Sequence, residues 1–307
     1  MNEIIIAALL TIITAATPLL YAAIGEMVTE KSGVLNLGVE GMILLGAVCG
    51  FATIHLTGNG ILAVFAGIGA GMLLSLVFAV LTLGFQASQV ASGLALTIFG
   101  IGLSALLGQS LVGVAYDGLP KLNIAGLTDL PIIGPLIFSH DILVYGSFLV
   151  TFAVAWFLKH SKGGLILRAV GDSHDAAHAI GYSVLKIRLG AILFGGAMSG
   201  LAGAYLSLSY SPLWIENMSA GRGWIALALV VFATWRPWRV FTGAYLFGGI
   251  TILQLHAQAL GVGIPSQMMS MLPYLATILV LVLISRDHNK IKLNAPACIG
   301  KPFHPTA

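Results

Sequence analysis

The chain has 307 residues, 58% of them hydrophobic and only 8% charged, with a net charge of +3 and a mean hydropathy of +0.99. Ordinary soluble domains carry about a quarter charged residues, so a water-soluble globule is excluded and a polytopic, all-α membrane helix bundle is indicated. The two cysteines, Cys49 and Cys298, are too far apart in sequence and setting to form a metal pattern or a disulfide framework.

Crossing a bilayer core takes about 20 apolar residues. Segments of that kind fall at 4–24, 34–56, 60–85, 90–112, 141–158, 189–209, 222–235, 240–260 and 268–285. They predict about nine transmembrane helices, eight to ten if one is split or re-entrant, in a single domain over residues 1–307. The first follows only Met1-Asn2-Glu3, without the basic leader of a cleavable signal, and is expected to remain as a helix. Residues 113–140 carry Pro120, Pro131 and Pro135 with Asp117 and Asp129, and read as the long outer loop. Residues 159–188 form the largest inner loop, and 286–307 a polar tail.

Of the 14 lysines and arginines, only Lys121 and Arg222 fall on the outer side of this scheme. Lys31, the 159–188 group, Arg236, Arg239 and the tail cations share the other side. By the positive-inside rule that side is cytoplasmic, with the C-terminus inside. The positive balance is thereby a matter of topology and gives no reason to expect nucleic acid.

Asn36 and Glu40 sit among glycines in Gly33–Ala47, at the start of the second span. A carboxylate at membrane depth is costly unless it faces protein or a water-filled path, so it is a functional candidate by default. At i, i+4 spacing the two would share one helix face. Glu40 reads equally as a helix clamp or as a lining of a solute path. Gln89 and Ser92, near the inner end of span four, read either as path-lining or as a helix–helix contact. Trp214 and Trp224 are expected at the outer interface, and Trp235 and Trp238 in an inner aromatic belt. A base-stacking role for Trp224 is the alternative.

Glu40-Gly41-Met42-Ile43 can be laid over Arg222-Gly223-Trp224-Ile225, in spans that run in opposite directions, as an inverted repeat requires. Shared glycine-rich composition is the simpler explanation of the match. If the repeats meet, Arg222 is the natural partner for Glu40.

Within the inner loop, Asp172 and Ser173 are good helix N-caps, Asp175 suits a first turn, and Ala176, Ala177 and Ala179 favour helix up to a stop at Gly181. A short surface helix between Gly171 and Gly181 is predicted, either as a plain connector or as a docking element. Asp175-Ala176-Ala177 followed by Gly181 resembles the Glu-Ala-Ala…Gly coupling loop of ATP-binding-cassette (ABC) importer permeases, with Asp in place of Glu. The wider string Leu167-Arg168-Ala169-Val170-Gly171-Asp172, the Gly33–Ala47 segment, Gln89–Leu96 and Gly221–Ala228 resemble the ribose and branched-chain amino acid permease superfamily. Within it the chain is similar to the shorter of the two permeases of nucleoside importers.

That resemblance implies a coupling surface of Arg168, Gly171, Asp172, Asp175, Ala176, Ala177 and Gly181. The polar and aromatic residues weighed above, Asn36, Glu40, Gln89, Ser92, Arg222 and Trp224, are the expected contacts of a solute path, and the resemblance implies a bacterial inner membrane. The implied partners are a cytoplasmic ABC ATPase, a second permease subunit completing a heterodimer, an extracytoplasmic substrate-binding lipoprotein and membrane lipid. No Gly-x-x-x-x-Gly-Lys-Ser/Thr loop occurs, so ATP is expected on the partner and no cofactor on this chain. His174 and His178 form the one close histidine pair, without the third ligand and general-base Glu of a metal site, so neither metal nor catalysis is expected. The competing reading is an ion-driven secondary transporter using Glu40, which would have no use for a docking helix and for which no second buried carboxylate is expected as a relay.

Overall fold

The computed structural model describes residues 2–122, 133–259, 265–285 and 294–304. α1 runs over Asn2–Lys31, α2 over Val39–Thr57, α3 over Gly60–Ala79 with a π-helical turn to Gly84, and α4 over Gln89–Gly108. α5 (Ile133–Phe138) lies within the outer loop and α6 (Ile142–His160) follows it, and α7 (Lys162–Asp172) and α8 (His174–Ala179) form the inner loop. α9 covers Val184–Tyr205 with a π-helical turn to Tyr210, and α10 covers Arg222–Phe232. α11 (Pro237–Ala259), α12 (Ser266–Ser270) and α13 (Leu272–Ser285) complete the bundle.

Local chemistry sets several of these limits. Asn59 Oδ1 accepts from the Ile61 and Leu62 amides to start α3, and Asp141 Oδ1 accepts from Leu143 and Val144 to start α6. Gly58, at φ +65°, closes α2 in the left-handed conformation that suits glycine.

Seven helices among the described residues are long and apolar enough to cross a membrane, against about nine expected. The seventh predicted span is α10, whose 11 residues rise about 16 Å, half of the roughly 30 Å hydrocarbon core. The ninth is represented by α13, of 14 residues. α1 continues past the expected end at Ile24 to Lys31, because Glu26 and Glu30 are buried with partners instead of ending the span. In the outer loop, the Tyr116 amide donates to the Pro212 carbonyl and the Leu119 amide to that of Leu208. Asp129 and Pro131 lie outside the described residues.

α9 sits at the centre against α1, α2 and α3. Its contacts are backbone on backbone. A Cβ added at Gly200 would lie 2.2 Å from the Gly67 carbonyl oxygen, and one at Gly46 2.4 Å from the Gly200 carbonyl oxygen. Small residues of this kind let membrane helices approach closely enough for dispersion to hold them. The outward faces carry exposed Phe65, Ile98 and Leu149, as a lipid-facing surface does.

Gly200→Leu should therefore be more harmful than the about 1–3 kcal/mol of ordinary overpacking, because the obstacle is backbone. Size-exclusion profiles after a heating series in detergent should show the folded peak lost at a clearly lower temperature than in the parent chain.

Candidate functional site

Two features stand out, a broken helix pair inside the bundle and the surface loop below it. Between α1 and α2 the chain leaves helical geometry at 32–38 while staying mostly buried. Buried backbone amides without helical partners need others, and side chains supply them. Glu26 Oε1 accepts from the Asn36 amide at 3.0 Å, Gln89 Oε1 from the Leu35 amide at 2.8 Å, and Asn36 Oδ1 from the Gly38 amide at 2.9 Å. The Thr97 hydroxyl donates to the Leu37 carbonyl at 2.8 Å. Asn36 thus lies in the link and not on the α2 face shared with Glu40. Its side chain closes a turn just ahead of the helix start, a competing local bond for which Asn is well suited. Ser92 is buried in the first turn of α4 beside Gln89. Glu26 Oε2 and Gln89 Nε2, both buried, have no protein partner.

Glu40 lies in the first turn of α2, and here α2 meets the start of α10. Glu40 Oε1 accepts from the Ser219 hydroxyl at 2.5 Å and the Gly221 amide at 2.8 Å, while Oε2 accepts from the Gly223 amide at 2.5 Å. The carboxylate therefore caps a helix of another segment, where free amides and the helix dipole both favour negative charge. A Cβ at Gly223 would sit 2.6 Å from the Glu40 backbone nitrogen and Cα, so glycine is required for the approach.

The two segments aligned as repeats do meet, but the expected Glu40–Arg222 pair does not form. Arg222 turns back to the carbonyls of Met218 (3.3 Å) and Ser219 (3.1 Å), with its guanidinium 5.2 Å from the Tyr210 ring centre. Backbone amides satisfy Glu40 first. Trp224 is 40% exposed in the first turn of α10.

Other sequence expectations change. Glu40 is not the sole buried carboxylate: Glu26, Glu30 and Asp141 are also enclosed. Charge alone places Glu26 and Glu30 beyond the first span. Trp235 is buried and its indole N–H donates to Glu30 Oε2, so only Trp238 of that pair is exposed as an interfacial belt requires. Trp214 is 2% exposed, packed against Gly108 instead of standing at an interface.

The inner loop holds two helices where the sequence predicts one. α7 starts at Ser161, whose hydroxyl accepts from the Gly164 amide at 2.9 Å. Ser173 ends α7 and caps α8 through the Ala176 amide, whereas Asp172 is the last residue of α7 and exposed. Gly181 at φ +94° closes α8 in a Schellman arrangement, with the Gly181 amide on His178 O and the Tyr182 amide on Ala177 O.

Asp175, Ala176 and Ala179 are exposed, while His174 and Ala177 face inward onto Val170, Val184 and Phe303. Arg168 is half-buried, its Nε directed to the Gly164 carbonyl. Gly171 approaches the end of α1 so closely that a Cβ would lie 2.2 Å from the Lys31 carbonyl oxygen. His174 and His178 each set a ring edge-on to Phe303, at 5.3 Å between centres.

The residue that sequence reasoning misses is Arg188. In the sequence it is one loop cation among several, yet it is fully buried and bonded to Ser32 O, Lys301 O and His174 Nδ1. An arginine just inside a span start has no sequence signal that separates this role from interfacial anchoring.

The chain belongs to the permease-component family of branched-chain amino acid transport systems, whose sequence profile matches residues 8–282. It is 40% identical over 314 residues to a Haloferax volcanii protein provisionally named a glucose ABC transporter permease, covering 95% of each chain. It is 32% identical to a guanosine ABC transporter permease of Bacillus subtilis, covering 94% of this chain and 93% of the relative. A nucleoside ABC transporter permease of Lactococcus lactis is 31% identical, with 87% and 89% covered. No solved structure matches significantly. The chain is thus a multi-pass permease subunit of an ABC transporter, and an ion-driven secondary transporter finds no support.

Two measurements probe this geometry. In double-mutant cycles scored by stability in detergent, Glu40→Gln with Ser219→Ala should show coupling within the about 0.5–3 kcal/mol typical of contacting residues. The Glu40→Gln with Arg222→Gln cycle should be closer to additive.

His174 has its pKa held below the usual imidazole range by burial and by the Arg188 guanidinium, with Lys301 and His304 acting in the same sense and Asp175 against them. The unfolded imidazole titrates near 6.5. The unfolded state therefore binds the proton first, and stability present above about pH 6.5 is lost as pH falls below it. Melting curves in detergent from pH 7.5 to 5 should show this loss, and His174→Gln should flatten it.

Proposed function

We propose that this permease carries a sugar-containing solute, with nucleosides as the leading class, delivered by a substrate-binding lipoprotein and driven by a separate cytoplasmic ATPase. The names of the similar permeases support it, since glucose, guanosine and nucleosides share sugar hydroxyls. On this reading ATP binds the partner alone, a second permease subunit completes a heterodimer, and the C-terminus lies in the cytoplasm of a cell whose inner membrane holds the complex.

The observation that carries the drive mechanism is α8. It is a short capped helix with one face anchored to a local core and the other, Asp175, Ala176 and Ala179, free to enter a groove on a partner. We assign the coupling surface to that face, with Gly171 and Gly181 fixing its seat and its end. Within the solute path, Asn36 and Glu40 are occupied by internal bonds and shape the broken helices. Arg222 and Trp224 retain accessible surface, and Gln89 Nε2 keeps a donor for a solute hydroxyl.

Ala176→Arg on the free face should release the ATPase from the purified complex and abolish uptake, with normal insertion. Gly181→Val should weaken both, because a side chain in the left-handed region costs about 1–2 kcal/mol. Retention of the ATPase at wild-type yield in Ala176→Arg would rule out α8 as its docking helix. Competition of radiolabelled guanosine uptake by unlabelled glucose and by nucleosides, in cells carrying the full transporter, sorts the solute class.

A further inference from the structure

The segment Asn294–His304 lies against both the inner loop and the α1–α2 link. The Lys31 ammonium donates to the Asn294 carbonyl at 2.7 Å. The Cys298 amide donates to the Gly171 carbonyl at 2.9 Å, and the Gly300 amide to the Gly33 carbonyl at 3.1 Å. Phe303 is 6% exposed and completes the small core of Val170, Ala177 and Val184 beneath α8. Ordering each residue costs about 1–2 kcal/mol in conformational freedom, so a segment fixed at this many points is held by specific contacts.

Arg188 is the centre of this assembly. Its Nε donates to Ser32 O at 3.2 Å and Nη1 to Lys301 O at 3.1 Å, while Nη2 is 3.2 Å from His174 Nδ1. These partners belong to three separate pieces of chain: the link, the C-terminal segment and the start of α8. Asp175 is an acid that acts on it, yet no carboxylate among the described residues lies within ion-pair distance of its guanidinium. A buried cation satisfied by neutral acceptors needs all of them in place. The planar fork can direct bonds to three pieces at once, as an ammonium cannot.

We infer that residues 294–304 act as a clasp, with Arg188 as its positioning residue, locking α8 to the 32–38 link so that a displacement of α8 is delivered to the broken helices. The inference rests on the proposed role of α8 in ATPase docking. The route is contiguous. α8 bears on Arg188 and Phe303, Arg188 holds Ser32, the link runs on to α2, and Glu40 at the start of α2 holds the start of α10. The link has no helical ladder of its own and is held by side chains, so it can shift without unwinding a helix.

The test uses the complete transporter in liposomes, with ATP hydrolysis and solute uptake measured in the same vesicles. The variants are a chain ending at Leu293, Phe303→Ala, Arg188→Gln and Arg188→Lys. With the clasp opened, the ATPase should stay bound and hydrolysis persist, while uptake per ATP falls about tenfold, as a coupling free energy of ordinary size implies. Arg188→Lys should be intermediate. Unchanged uptake per ATP in the shortened chain or in Phe303→Ala overturns the clasp. So does a fall of uptake and hydrolysis in equal proportion, which marks a structural role only. If the shortened chain or Arg188→Gln fails to insert, Phe303→Ala and Arg188→Lys decide by the same ratio. Ala176→Arg separates the two ideas: if it leaves the ATPase bound, the docking role of α8 fails, whatever the clasp variants show.

Discussion

The carboxylate of Glu40 fixes the interior of this protein. α10 is too short to cross a membrane, so its first amides open inside the bundle, where no bulk water can satisfy them. Glu40 accepts two of those amides and the Ser219 hydroxyl. Each side solves the other's problem, since the amides hold the charge that α2 would otherwise bury alone. Gly223 has to be glycine for the approach, and the seams of α9 against α2 and α3 are built from glycine so that these backbones can reach the required positions. Removing the carboxylate would strand the start of α10, and lengthening α10 would displace Glu40.

The same solution recurs at other buried ionisable groups. Glu26 accepts the Asn36 amide of the link, and Arg188 donates to the carbonyls of Ser32 and Lys301. Each of these groups sits beside a point where a helix stops inside protein and satisfies backbone released there. Glu30 is the exception, since it is held by the Trp235 indole. This distribution differs from an ion-pair network, in which charges satisfy one another and leave backbone geometry alone. Breaks held by side chains can be re-formed in a second arrangement with the same groups. A solute pathway that opens alternately to two sides needs that property.

Much of the architecture is legible in the sequence. Apolar run length finds every long helix, and Asn59, Asp141 and Ser173 begin helices as short polar residues do. Gly181 closes α8 for the expected reason. The failures share a cause. The sequence reading ends the first span at Ile24, short of Glu26 and Glu30, and it puts Asn36 on α2 because hydrophobicity continues through the link. Trp214 and Trp235 read as interfacial from their place at span ends. In each case a tertiary partner reverses a local rule: Asn36 for Glu26, Glu30 for Trp235, Gly108 for Trp214. The Glu40–Arg222 pairing fails more narrowly. The sequence locates both groups at one junction, but charge complementarity cannot foresee that backbone amides stand closer.

Arg188 shows where sequence reading stops. Ser32 lies 156 residues before it, and Lys301 113 residues after it. Nothing local announces either partner, because both are carbonyls that any residue type presents. What the sequence does contain is indirect. Gly33 and Gly171 lack side chains where a Cβ would strike the Arg188 Nη2 (2.9 Å) and the Lys31 carbonyl (2.2 Å), and Cys298 and Gly300 carry the amides that close the segment over them. The two glycines that bracket α8 in the sequence therefore do two different jobs. Gly181 ends a helix through its backbone conformation, while Gly171 makes room for the end of α1. Backbone approach, more than any charged pair, ties the loop below the membrane to the broken helices within it.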